Sequence, residues 1–100
     1  YWAGFGTAGQ RCTSLGNLII HEDIYDEFVE RLMEKVKSTS IGDSMRHDGV
    51  LYGPMLSERY AVDFMKGVDM CENSGAKKIW GEGRITNDNK PDNFHGDASE

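Results

Sequence analysis

Two stretches of helical periodicity lie between two short apolar runs, and this order limits the fold more than any other feature of the chain. Leu18-Ile19-Ile20 has the length and character of a buried strand, with Gly16-Asn17 before it as a turn signal. Beyond it, Ile24, Phe28, Leu32 and Val36 recur every fourth residue with Tyr25, Val29 and Met33 alongside, which predicts a helix capped by Asp23. Asp26, Glu27, Glu30, Arg31, Glu34 and Lys35 fall on its other side, a solvated face with no catalytic role. A polar stretch from Ser38 to Gly49 reads as loop, and Gly53-Pro54 as a turn into a second helix capped by Ser57. On that helix Tyr60, Ala61, Phe64, Met65, Val68 and Cys71 share one face, and Gly75 lies where a C-terminal glycine belongs, so Cys71 reads as structural. Ala76 to Trp80 is the second candidate strand. Strand, helix, helix, strand gives an α/β layer with an incomplete sheet, because parallel strands need neighbours and covered faces.

The chain has 100 residues, one small domain at most, and a chain of this size buries a limited core. Seventeen acidic against eleven basic residues give a formal charge of -6 with no Lys/Arg stripe, which argues against nucleic-acid binding. No apolar run approaches the roughly 18 residues that a membrane span requires, and no signal peptide is expected, so a soluble chain is expected. Cys12 and Cys71 form neither a CxxC pair nor a ligand cluster, which points to a reducing, intracellular compartment, cytoplasmic or mitochondrial. His21 at a strand end, His47 in a loop and His95 in the tail have no Cys or carboxylate partners at ligand spacing, so no metal site is expected. Ser14 and Ser57 lack a positioned base, and a serine hydrolase has no footing. From Glu82 onward the chain is rich in Gly, Asn and Asp, and residues 86–100 read as loop or disordered tail.

The chemistry concentrates in Phe5-Gly6-Thr7-Ala8-Gly9-Gln10-Arg11-Cys12-Thr13-Ser14. Gly6, Ala8 and Gly9 allow close approach to the backbone, while Gln10, Arg11, Thr13 and Ser14 surround a sulfur with hydrogen-bond donors and one fixed positive charge. Such surroundings favour thiolate over thiol, and the thiolate is the nucleophile. A buried, inert thiol is the ordinary fate of a free cysteine. The polar flanks of Cys12 argue against it.

At these residues the chain resembles the aldehyde dehydrogenase superfamily, whose nucleophile lies in Phe-x-x-x-Gly-Gln-x-Cys, here Phe5, Gly9, Gln10 and Cys12. The fuller string Gly-Thr-Ala-Gly-Gln-Arg-Cys-Thr is most similar to the antiquitin branch, the α-aminoadipic semialdehyde dehydrogenases. Leu18-Ile19-Ile20-His21-Glu22, Ile24-Tyr25-Asp26-Glu27-Phe28, Ile41-Gly42-Asp43, Tyr52-Gly53-Pro54 and Gly75-Ala76-Lys77 continue the likeness in order, over about residues 1 to 85. The chain departs at Gly16-Asn17, where relatives often carry basic residues, and at Asn93-Phe94-His95-Gly96-Asp97, where the family has Gly-Tyr/Phe-x-x-x-Pro-Thr.

The resemblance implies a piece of an α/β catalytic domain, with residues 1–85 its cysteine-bearing part. It implies Cys12 as the nucleophile on an aldehyde, giving a thiohemiacetal and then a thioester with NAD or NADP as hydride acceptor. Arg11 would hold the far carboxylate of a semialdehyde, a planar anion that suits a guanidinium, and Thr13 is the second substrate-binding position. The cofactor-binding residues, the oxyanion amide and the water-activating glutamate of the family are expected outside these residues, so the isolated chain is expected to be inactive. A homo-oligomeric parent enzyme acting on a small aldehyde follows from the same likeness.

Two other readings stand beside it. Gly4-Phe5-Gly6-Thr7-Ala8-Gly9 satisfies G-x-G-x-x-G, with Glu22 where a ribose-binding acid would fall, as in a dinucleotide-binding βαβ unit. Against it, only three residues precede Gly4, and Gln10 to Leu15 is too short for a crossover of about a dozen residues. The other reading is a non-enzymatic module that self-associates through exposed sheet edges.

Overall fold

The computed structural model describes residues 1–81 and 83–98. A four-residue helix α1 (Trp2–Phe5) runs directly into a 3-10 turn (Gly6–Gly9), followed by α2 (Glu22–Lys37), β1 (Ile41–Gly42), α3 (Glu58–Asn73) and β2 (Phe94–His95). Among the described residues this is a small, open α/β arrangement of three α-helices and a two-stranded parallel sheet.

Both long helices form where the periodicity places them, each sixteen residues long. The cap of α2 differs from expectation. His21 is the capping residue, its Nδ1 accepting the Asp23 N–H at 3.3 Å, while Asp23 joins Glu22 in the first turn. Those carboxylates at the start, and Lys35 and Lys37 at the end, match the helix dipole. At α3, Ser57 occupies the cap position but its side chain makes no capping bond; its carbonyl accepts the N–H groups of Tyr60 and Ala61 at 3.0 and 3.2 Å. The other end is a Schellman motif. Gly75 at φ +92° sends its N–H to Glu72 O, and Ala76 sends its own to Cys71 O, each at 3.0 Å.

The strands are not where the apolar runs predict. Leu18-Ile19-Ile20 pairs with nothing among the described residues, and Ile19 is 98% exposed. Ala76 to Trp80 is likewise unpaired and exposed. Strand formation needs a partner whose backbone meets it in register, and a local apolar run does not supply one. The pairing instead uses Ile41-Gly42, inside the expected loop, against Phe94-His95, inside the expected tail. Ile41 N–H donates to Asn93 O at 3.0 Å and Asp43 N–H to His95 O at 2.8 Å. On the other edge, Gly42 N–H reaches Tyr52 O at 3.2 Å and Leu51 N–H reaches Ser40 O at 2.8 Å. Glu82, which opens the Gly-, Asn- and Asp-rich stretch, and Ser99 and Glu100 of the expected tail lie outside the described residues.

Packing is concentrated at the end of α2. Val36 is the buried apolar side chain and Thr39 the buried polar one among the described residues. The Thr39 hydroxyl donates to Lys35 O at 2.7 Å, which uses its single proton, so the hydrogen bond between Thr39 Oγ1 and the Tyr1 hydroxyl has Tyr1 as donor. The Asn93 amide donates to Thr39 O. Thr39 thus joins the N-terminal segment, the end of α2 and the approach to β2. The remaining apolar faces are open: α2 and α3 do not pack on each other, and Ile24, Tyr25, Tyr60, Phe64 and Met70 are exposed.

Candidate functional site

The cysteine sits at the tip of a tight turn. Ser14 N–H donates to Arg11 O at 3.1 Å, and Ser14 Oγ accepts the Arg11 N–H at 3.2 Å, so the two ends of the turn are bonded to each other twice and Cys12 and Thr13 form its exposed apex. Gln10, Arg11, Cys12 and Thr13 are therefore adjacent and solvent-accessible.

The approach to this turn is conformationally unusual. Thr7, Ala8 and Gly9 lie in succession in the left-handed region, at φ +53°, +54° and +67°. A single glycine adopts it readily, but a β-branched residue does so only when the surroundings impose it. The reversal folds the chain back on α1: a β-carbon on Gly9 would stand 3.1 Å from Gly4 O, and Leu15 N–H donates to Ala3 O at 2.8 Å. Gly6 is buried under Trp2, whose ring atoms would be 3.0 Å from a β-carbon there. The close-packing role expected of Gly6 and Gly9 accounts for both glycines.

Two contacts fix the turn sideways. Gln10 Oε1 accepts the Leu56 N–H at 2.9 Å, tying the turn to the segment that enters α3. The Arg11 guanidinium lies over the Trp2 ring, 5.7 Å from its centroid, so its charge is held by an aromatic face. Neither Leu56 nor Trp2 is legible as a partner from sequence, because both contacts depend on how the chain turns between them. Gln10 and Arg11 carry a sequence signal, their places just before the cysteine.

Cys71, expected to be structural, is exposed near the end of α3, because no other element covers that face. Both cysteines are free. The glycine-rich run does not build a nucleotide-binding loop: Gly4 lies in α1, Gly6 and Gly9 in the 3-10 turn, and Glu22 opens α2 instead of ending a strand. The glycines lie within a short helix and a 3-10 turn, and the next long helix begins only at Glu22, so their N–H groups are not arranged as a pyrophosphate cradle. Among the described residues no group of three or more His, Cys, Asp or Glu is placed to hold a metal ion. His47 and His95, distant in sequence, have their rings 5.6 Å apart. No helix among the described residues is long and apolar enough to cross a membrane.

Comparison with known proteins agrees with the family resemblance. The model of the aldehyde dehydrogenase family matches residues 1–96, reaching past the stretch that the motif strings cover. An aldehyde dehydrogenase family 7 member A1 of Brassica napus is 38% identical over 80 residues, which is 80% of this chain and 16% of that protein. An alpha-ketoglutarate semialdehyde dehydrogenase of Haloferax volcanii is 38% identical over the same shares. An alpha-aminoadipic semialdehyde dehydrogenase of Rattus norvegicus is 34% identical over 80% of this chain and 15% of its own length. The chain spans about one sixth of the length of these curated relatives. With the family's model matched over nearly all of its residues, the chain belongs to the aldehyde dehydrogenase family.

Proposed function

We propose that this chain supplies the nucleophile-bearing part of an NAD(P)-dependent aldehyde dehydrogenase, with Cys12 as the nucleophile. The observation that carries the reading is the exposed sulfur at the apex of the Arg11–Ser14 turn, within residues that match the family's model. The Cys12 thiolate adds to the carbonyl carbon of an aldehyde, forming a carbon–sulfur bond while the carbonyl electron pair moves to oxygen as an alkoxide. The Cys12 N–H can donate to that oxyanion. Arg11, propped on Trp2, pairs with a carboxylate at the far end of the substrate, and Thr13 beside the sulfur offers a hydroxyl. Acid-bearing semialdehydes are therefore the substrate class, a reading supported by the names of the Haloferax and Rattus relatives. NAD or NADP comes to the proposal from the family alone, since the glycines here do not fit a dinucleotide. The isolated chain produces no NADH from a semialdehyde and NAD+.

Because Cys12 and Cys71 are both exposed, their alkylation rates compare chemistry instead of access. Iodoacetamide near neutral pH, read by peptide mass spectrometry, labels Cys12 severalfold faster than Cys71, and Arg11→Ala narrows the gap. Equal rates at the two thiols would remove the support for Cys12 as nucleophile.

A second reading, self-association, is favoured by the uncovered apolar surface. Ile19 is almost fully exposed, and an open groove of about 470 Å³ runs along α3 past Phe64, Val68, Met70 and Cys71. Sedimentation of the chain over a concentration series distinguishes a monomer from a self-associating species.

A further inference from the structure

The backbone of Asp43 holds two histidines side by side. Its N–H donates to His95 O at 2.8 Å, and its carbonyl accepts the His47 N–H at 3.1 Å, so both imidazoles hang from opposite ends of one peptide segment. The turn carrying His47 is braced further by Met45 N–H donating to Asp43 Oδ1 at 2.9 Å. On the other side, Gly42 lets the His95 strand approach closely. The rings sit 5.6 Å apart, tilted by 36°, and both residues are exposed.

We propose that His47 and His95 form a two-imidazole chelate for a borderline divalent transition-metal ion of the nickel, copper or zinc class. An ion bound at about 2.0–2.1 Å from one nitrogen of each ring requires ring centres roughly 5 to 6 Å apart, which is the spacing observed. Imidazole suits these metals and leaves calcium and magnesium to oxygen ligands. Two protein ligands leave the other coordination positions to water, so the site is open and of modest affinity. Its consequence is mechanical: the ion bridges the turn after β1 to β2 and favours the pairing of these two segments, because it binds only the state in which the histidines are adjacent. The site is independent of Cys12 and of the proposed oxidation of aldehydes.

Titrating the chain with Ni2+ alone, after alkylating both thiols, tests the assignment by calorimetry. One equivalent binds, and His47→Ala or His95→Ala each weakens binding by at least the roughly 10- to 100-fold that loss of a supporting partner costs a metal site. His21→Ala, remote in the fold at the start of α2, leaves binding unchanged. Hydrogen exchange at the Asp43 amide slows on adding Ni2+ in the unsubstituted chain and not in His47→Gln, a variant in which the turn keeps its backbone bonds. Absence of binding, or binding that survives both alanine substitutions, overturns the proposal. So does binding without added protection at Asp43.

Discussion

A β-carbon placed on Gly42 would stand 1.9 Å from the carbonyl oxygen of His95, so these two backbones meet at a separation that no side chain at position 42 permits. Gly42 also lies at φ +126°, where L-residues are strained. Gly42→Ala is therefore expected to separate β1 from β2, at a cost above the roughly 1–3 kcal/mol of an isolated strained residue. Loss of hydrogen-exchange protection at Ile41 and Asp43, whose N–H groups bond Asn93 and His95, is the readout. Retained protection would show that the two segments pair some other way.

Thr39 is the buried junction between the Tyr1 hydroxyl, the Lys35 carbonyl and the Asn93 amide. Thr39→Val keeps the shape and deletes the hydroxyl, leaving Tyr1 without its acceptor. The expected destabilisation is about 1–3 kcal/mol in urea unfolding, while Thr39→Ser, which keeps the hydroxyl, loses less. A Thr39→Val variant as stable as the unsubstituted chain would show that the hydroxyl contributes nothing.

The Arg84 guanidinium grips Glu58 with two bonds of 2.6 and 2.7 Å, and holds its carboxyl below the usual carboxylate range. A lowered folded-state value means that this contribution is present above the unfolded value of about 4.3 and is lost as pH falls through the folded one. The pair is exposed, so salt screens it. An NMR titration of the Glu58 carboxyl moves back toward the ordinary range in Arg84→Ala or at high salt, and an unmoved midpoint in both would refute the pairing.

Burial, and after it the neighbouring Tyr1, pushes the Tyr52 phenol above the ordinary tyrosine value. The sign here is opposite to that of Glu58: the contribution is intact below about pH 10 and disappears as pH rises through the folded value. Phenolate absorbance is expected to show a late-titrating tyrosine that Tyr52→Phe removes. If Tyr52→Phe instead deletes a group titrating in the ordinary range, the burial argument fails.

The two long helices were legible in the sequence because what specifies them is local. The recurrence from Ile24 to Val36 and the Gly75 terminus act through bonds that close within a few residues, so local order is enough to specify them. The capping of α2 went to His21 instead of Asp23 because the cap is set by where the preceding chain turns, a detail finer than periodicity.

Sequence alone thus determined two amphipathic helices, a polar cysteine-bearing stretch and, through its motif, membership of a family. Only the tertiary structure decided which short segments pair, choosing Ile41-Gly42 with Phe94-His95 over the more apolar Leu18-Ile19-Ile20 and Ala76 to Trp80. It also decided that Trp2 faces Arg11, Leu56 meets Gln10, and His47 lies beside His95. The physical reason is range. A helix bonds to itself, whereas a strand, a cation on an aromatic face and a pair of imidazoles each need a partner that the chain must bring back from elsewhere.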